Sequence, residues 1–109
     1  MKKILLLFLL LCFRPSVAAT TTASFQLVVV HNVQLSWTQS NSPNLIGYNV
    51  YRGLQSGKET LYYKIGVGAG WTDTYVDSYT TYFYYLTAVD SSSQESVPSN
   101  ETSATVPGP

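Results

Sequence analysis

Val33, Leu35 and Trp37 alternate with Gln34, Ser36 and Thr38, and this two-residue rhythm returns along the chain. Tyr48 and Val50 alternate with Asn49 and Tyr51, and Leu61, Tyr63 and Ile65 alternate with Tyr62 and Lys64. Over 81–90, "TYFYYLTAVD", Tyr82, Tyr84, Leu86 and Ala88 form one set, while Phe83, Tyr85, Thr87 and Val89 form the other. A period of two belongs to strands buried on one face; an amphipathic helix needs 3.6. The runs are rich in β-branched and aromatic residues, which suit a pleated surface. Between them lie "QSNSPN" (39–44), "GLQSGKE" (53–59), "GVGAG" (66–70), "DSYTT" (77–81) and "DSSSQES" (90–96), all turn-forming compositions. Short strands punctuated in this way predict an all-β, seven-stranded antiparallel sandwich of the immunoglobulin-like kind. The expected strands are 25–30, 33–38, 46–52, 60–65, 71–75, 81–89 and 97–106. Pro98 cannot donate to a ladder, so the last strand is expected at an edge or with an irregular start.

The first residues read differently. "MKKILLLFLLLCFRPSVAATTT" has two lysines, an apolar run from Ile4 to Phe13, and then small residues. This is the pattern of a secretory signal, with cleavage after Ala18 or Ala19. The run falls short of the roughly 20 apolar residues that a membrane-crossing helix needs. Residues 1–19 are therefore expected to be a cleaved leader, 20–24 a flexible lead-in, and 25–107 one domain. The product would be secreted, extracellular or periplasmic, with no membrane insertion after cleavage. Cys12 lies inside the apolar run, but Leu11 stands where a lipid-attachment signal has a small residue. Cys12 is the chain's single cysteine, so a cleaved chain has none and packing alone must hold the fold.

Loss of the leader removes Lys2, Lys3 and Arg14, leaving three basic against six acidic side chains, a net of −3. Without a basic stripe, nucleic acid and anionic lipid are poor partners. Catalysis is not expected either. His31, the one histidine, sits beside Asn32 in an expected tight turn, where a solvated side chain is the ordinary outcome. Asp73, Asp77, Asp90 and Glu95 lack the acid-dense, glycine-centred spacing of a calcium loop and are expected to cap turns. "GVGAG" has the look of a phosphate loop, but Trp71 and Thr72 begin a strand where such a loop needs a helix. No cofactor or metal is expected. Asn100-Glu101-Thr102 fits a glycosylation acceptor, but it falls within an expected strand and the leader looks bacterial.

"VQLSW", "GYNVYRG", "TYFYYLTAVD" and "SNETSATV", in that order, resemble successive strands of a fibronectin type III domain of the bacterial secreted kind, from Ser24 to Pro107. The resemblance implies that Trp37 and Tyr48 lie in the core. It also implies that the Tyr82 hydroxyl closes the corner between the fifth and sixth strands. Alternation adds Val50, Tyr84 and Leu86 to that core. The family's glycines are replaced here by Tyr79 in the corner loop and Ser93 in "DSSSQES". Those two residues either carry left-handed strain of about 1–2 kcal/mol or their loops adopt different turns; different turns are the expectation.

Such a module serves adhesion, spacing or protein recognition, as a monomer with a protein or polysaccharide partner. Its topology makes neighbours of the strands at 46–52, 60–65 and 81–89, so their outward sets would gather Tyr51, Tyr62, Phe83 and Tyr85 on one face. Two readings of that face stand side by side. Cross-strand aromatic pairs stabilise a sheet by roughly 0.2–1 kcal/mol each; a contiguous apolar patch marks a contact surface, including one for a sugar ring. A second candidate surface is the loop end, 39–44, 66–70 and 90–95, with Asn41, Asn44, Ser92 and Gln94 as adaptable hydrogen-bonding groups.

Overall fold

The computed structural model describes residues 9–13, 16–19 and 27–108. Nine strands are found among them and no helix: β1 (Leu9–Phe13), β2 (Ser16–Ala19), β3 (Leu27–Val30), β4 (Val33–Trp37), β5 (Leu45–Gly53), β6 (Thr60–Ile65), β7 (Gly70–Asp73), β8 (Thr81–Asp90) and β9 (Thr102–Thr105). One sheet has the order β1-β4-β7 and the other β6-β5-β8-β9; β2 and β3 form a separate two-stranded ribbon. Every pairing is antiparallel.

The alternating residues meet between the sheets. Val33, Leu35 and Trp37 of β4 pack with Tyr48 and Val50 of β5, Tyr82, Tyr84 and Leu86 of β8, and Ala104 and Val106 at the end of the chain. Trp37 and Tyr48 meet edge to face at 5.2 Å and 65°, the geometry their ring quadrupoles favour. Two tyrosine hydroxyls anchor connecting segments: Tyr82 accepts from the Asp77 N–H at 2.9 Å, and Tyr48 accepts from the Ser40 N–H at 2.8 Å. The first closes the corner expected of Tyr82, while the second had no sequence signal.

The structure corrects several expectations. The first expected strand exists, as Leu27–Val30, but it pairs with Ser16–Ala19 instead of joining the sandwich. Six of the seven expected strands therefore lie in the two sheets. The seventh position, the outer edge of β4, is filled by Leu9–Phe13. The last strand shrinks to Thr102–Thr105, and Asn100 lies exposed ahead of it, outside any strand. Tyr79 and Ser93 both hold positive φ, 63° and 65°, so these loops keep left-handed turns despite lacking glycine. The Tyr79 turn is held by a 2.9 Å bond from its N–H to the Val106 carbonyl. The Ser93 turn is held by Asp90, whose Oδ1 accepts from the N–H groups of Ser92 and Gln94 at 2.9 Å each.

His31 is half-buried with its Nε2 3.2 Å from the Gly108 carbonyl, so it is neither fully solvated nor in a tight turn. The expected lead-in, 20–24, lies outside the described residues. No described helix is long and apolar enough to cross a membrane.

Candidate functional site

The outward surface of the four-stranded sheet carries the aromatic face. β5 and β8 align Asn49 with Thr87, Tyr51 with Tyr85 and Gly53 with Phe83, and directly opposed residues share a face. The Tyr51 and Tyr85 rings stack at 4.6 Å and 11°; Phe83 lies beside them, and all three are half-buried. Tyr62 is absent from this group. The β5–β6 register slips between Val50 and Tyr51, so that Val50 opposes Tyr63 and Tyr51 opposes Leu61. That bulge leaves Tyr62 unopposed and re-aims it, and Leu61, 48% exposed, takes its place beside Tyr51.

Tyr62 instead joins an ion-pair network between the sheets. Asp73 of β7 is 1% exposed and accepts from Arg52 Nη1 and from the Tyr84 hydroxyl at Oδ2, each at 2.8 Å. Its Oδ1 accepts from the Tyr62 hydroxyl at 3.3 Å and the Tyr75 N–H at 3.1 Å. The Arg52 guanidinium lies over the Tyr62 ring at 3.8 Å and the Tyr82 ring at 4.6 Å, a cation–π clamp. Burial raises the Tyr84 hydroxyl, and the Asp73 charge raises it further. A groove of about 460 Å³ opens above Arg52, between Leu54, Thr60, Asp77 and Thr80, but the guanidinium beneath it is already committed to Asp73. Arg52 falls in the inward set with Tyr48 and Val50, and that parity was the sequence signal for the network.

Acidic side chains frame the aromatic face. Glu95 reaches back across one end, where its Oε1 accepts from Tyr51 Oη at 2.8 Å and Thr87 Oγ1 at 2.7 Å. This cover explains why outward-facing Asn49 and Thr87 are only 7% and 5% exposed. The Thr87 hydrogen bond outweighs burial and holds the Glu95 carboxyl below its ordinary range, while burial and then Glu95 push Tyr51 up to about 12. At the other end Glu101 receives the Ser56 hydroxyl at 2.7 Å and the Gly57 N–H at 2.9 Å. Glu59 stands near it, its carboxyl raised first by burial and then by Glu101.

The loop end forms as expected. The Gly68 N–H donates to Gln39 Oε1 at 2.7 Å, and the Ser91 N–H donates to the Asn44 carbonyl at 2.9 Å. Asn41, Asn44, Ser92 and Gln94 are all exposed there. The crevice between these loops, lined by Ser40, Ser42, Asp90 and Gln94, measures about 10 Å³, the size of a single water at most.

Three of the four candidate carboxylates are engaged in structural contacts among the described residues. Asp73 is consumed by its four partners, Asp90 by its own turn, and Glu95 by Tyr51 and Thr87. Among the described residues no group of three His, Cys, Asp or Glu side chains is placed to hold a metal.

No protein-family model matches the sequence, and no curated protein does. Solved structures do match. An Fn3-like protein from Clostridium thermocellum is 27% identical with a TM-score of 0.60; the match covers 90% of this chain and 95% of that one. The sixth fibronectin type III domain of a human fibronectin type III domain-containing protein is 18% identical at a TM-score of 0.58, covering 87% and 82%. The chain carries a fibronectin type III-like domain. This fibronectin type III-like domain also matches part of a β-1,2-glucanase from Parabacteroides distasonis, at 22% identity and a TM-score of 0.64. That match covers 72% of this chain and spans only 11% of the glucanase.

Proposed function

We propose that the chain is an exported, non-catalytic recognition module that binds a protein partner through the outer face of its four-stranded sheet. The observation that carries this reading is the shape of the aromatic group. Tyr51 and Tyr85 turn their ring faces toward each other, so the pair offers edges and one hydroxyl-bearing rim where a sugar-stacking platform would offer an open ring. An apolar centre of Leu61, Phe83 and the tyrosines inside a rim of Glu59, Glu95 and Glu101 has the anatomy of a protein contact, and it suits a partner with basic groups around an apolar patch. The similarity to full-length type III domains, which are non-catalytic modules, supports the non-catalytic part. The leader pattern of residues 1–19 supports export.

A second reading is favoured by one observation: a similar fold occurs inside a β-1,2-glucanase. On that reading the face is an accessory site for a neutral glucan. Both are tested with wild-type domain and the Leu61→Asp and Tyr85→Thr variants, first checked for unchanged melting. The expected result is adsorption to cells of the producing organism that survives periodate oxidation of surface sugars, is lost on protease treatment of the cells, and falls at least tenfold in the variants. Retardation by β-1,2-glucan in an affinity gel, lost in the same variants, would move the assignment to the glucan. Equal adsorption by wild type and variants would remove this face from either role.

A further inference from the structure

Two pairings set up a competition for one sheet edge. β1 pairs with β4 through Leu9↔Trp37, Leu11↔Leu35 and Phe13↔Val33, and β2 pairs with β3 through Ser16↔Val30 and Ala19↔Leu27. A single antiparallel offset relates both sets, so β3 and β4 run on in one line against β2 and β1. β7 occupies the other edge of β4, and β1 lies alongside β9 of the opposite sheet. Residues assigned to the export leader thus complete the three-stranded sheet over Val33, Leu35 and Trp37, each at most 8% exposed.

Removing residues 1–19 takes β1 and β2 away together. The outer backbone groups of β4 then lose their partners, and an uncovered edge recruits another strand. The replacement is already attached. Leu27–Val30 loses its own partner in the same cut, is almost wholly β-branched, and is joined to β4 by only His31 and Asn32. Two residues are the spacing of a tight antiparallel hairpin, and asparagine tolerates the left-handed backbone that such a turn requires. Folding back would set Val30 opposite Val33 and Val28 opposite Leu35.

We propose that the outer edge of β4 is an exchange site, held by Leu9–Phe13 in the full chain and taken by Leu27–Val30 once residues 1–19 are gone. The precursor and the trimmed domain then share six strands and differ in the seventh. The proposal rests on reading 1–19 as a removable leader for its biological setting, but the exchange is a property of the chain however the cut is made.

The test uses the full chain with a site-specific protease sequence replacing Thr20–Ala23, followed by amide hydrogen exchange before and after cutting. The expected result is release of the leader peptide, a monomer on gel filtration, and amides of both 27–30 and 33–37 still slowed at least tenfold. Unprotected 27–30 amides after release, or a leader peptide that stays bound, would overturn it. Protection that appears only in a dimer would overturn it too, since a second copy would then supply the strand. Val28→Pro separates the two states, because proline cannot continue a ladder: in the uncut chain it interrupts only the β2–β3 ribbon, where Val28 opposes Ala18, whereas in the cut domain it interrupts a strand of the sandwich. It should lower the melting temperature of the cut domain by several degrees more than that of the uncut chain; equal shifts would refute the exchange. The terminal mass of the exported protein tests the leader separately.

Discussion

Asp73 shows how much one side chain can decide. Its carboxylate is buried and answers Arg52, Tyr62, Tyr84 and the Tyr75 N–H at once, joining β7 of one sheet to β5, β6 and β8 of the other. Such a pair contributes little over a well-packed apolar substitute, but removing one member strands the other. Asp73→Ala is therefore expected to destabilise the domain by about 3–5 kcal/mol in urea titrations, with Arg52→Met/Asp73→Leu recovering part of the loss. Ser93 gives a prediction of the opposite sign. Its φ of 65° is one that glycine adopts without penalty, and the Asp90 bonds to Ser92 and Gln94 that define the turn do not involve its side chain. Ser93→Gly should raise stability by about 0.5–1 kcal/mol, the left-handed relief less glycine's extra chain entropy. Of the core residues, Trp37, Tyr48 and Tyr82 were legible through the family resemblance, and Val50, Tyr84 and Leu86 followed because inward burial imposes a strict parity. Asp73 was not, because a buried carboxylate reads the same as a turn-capping one until its partner's position is known.

Elements were legible where the ladder is regular and opaque where it is not. The segment around Pro98 is the clearest case. Proline removes a donor, and the chain replaces the missing ladder with flanking serines. The Ser96 N–H donates to the Ala88 carbonyl while Ser96 Oγ accepts from the Ala88 N–H, and Ser99 does the same with Leu86, all at 2.8–2.9 Å. The three-residue step from Ser96 to Ser99 thus matches the two-residue step from Ala88 to Leu86, with Val97–Pro98 taken up between the two serine clasps. Ser99→Ala leaves the Leu86 N–H unpaired beside the core and is expected to cost about 1–2 kcal/mol, with faster exchange of that amide as a second readout. Alternation cannot foresee such a device, because it assumes one residue per step. The β5–β6 bulge defeated it in the same way, exchanging Tyr62 for Leu61 on the outer face. The first strand was found in sequence but misassigned in space, since periodicity reports a strand's faces and not its partner.

At the scale of the molecule, acid titration should expose the polar frame of the outer face. Glu95 lies below its ordinary value of 4.5 in the folded chain; its contribution is present above that value and lost as pH falls through the lowered one. Glu59 is raised above 4.5, so its contribution is present below 4.5 and lost as pH rises through the raised value. Melting temperature in Glu95→Gln should consequently fall less than wild type between pH 5 and 3. Glu59→Gln should gain relative to wild type at pH 7 and lose that advantage at pH 4. Identical profiles for all three proteins would show that the frame does not couple to folding. The cross-sheet cluster around Asp73 has one more consequence. A chain with a single cysteine cannot close an internal S–S bridge, and here charge and phenol groups clasp the two layers where antibody domains of similar sandwich architecture use a disulfide. Thiol reagents therefore have nothing to cut, so the Asp73 clasp can form alike on either side of the membrane the domain is proposed to leave by, whichever segment holds the outer edge of β4.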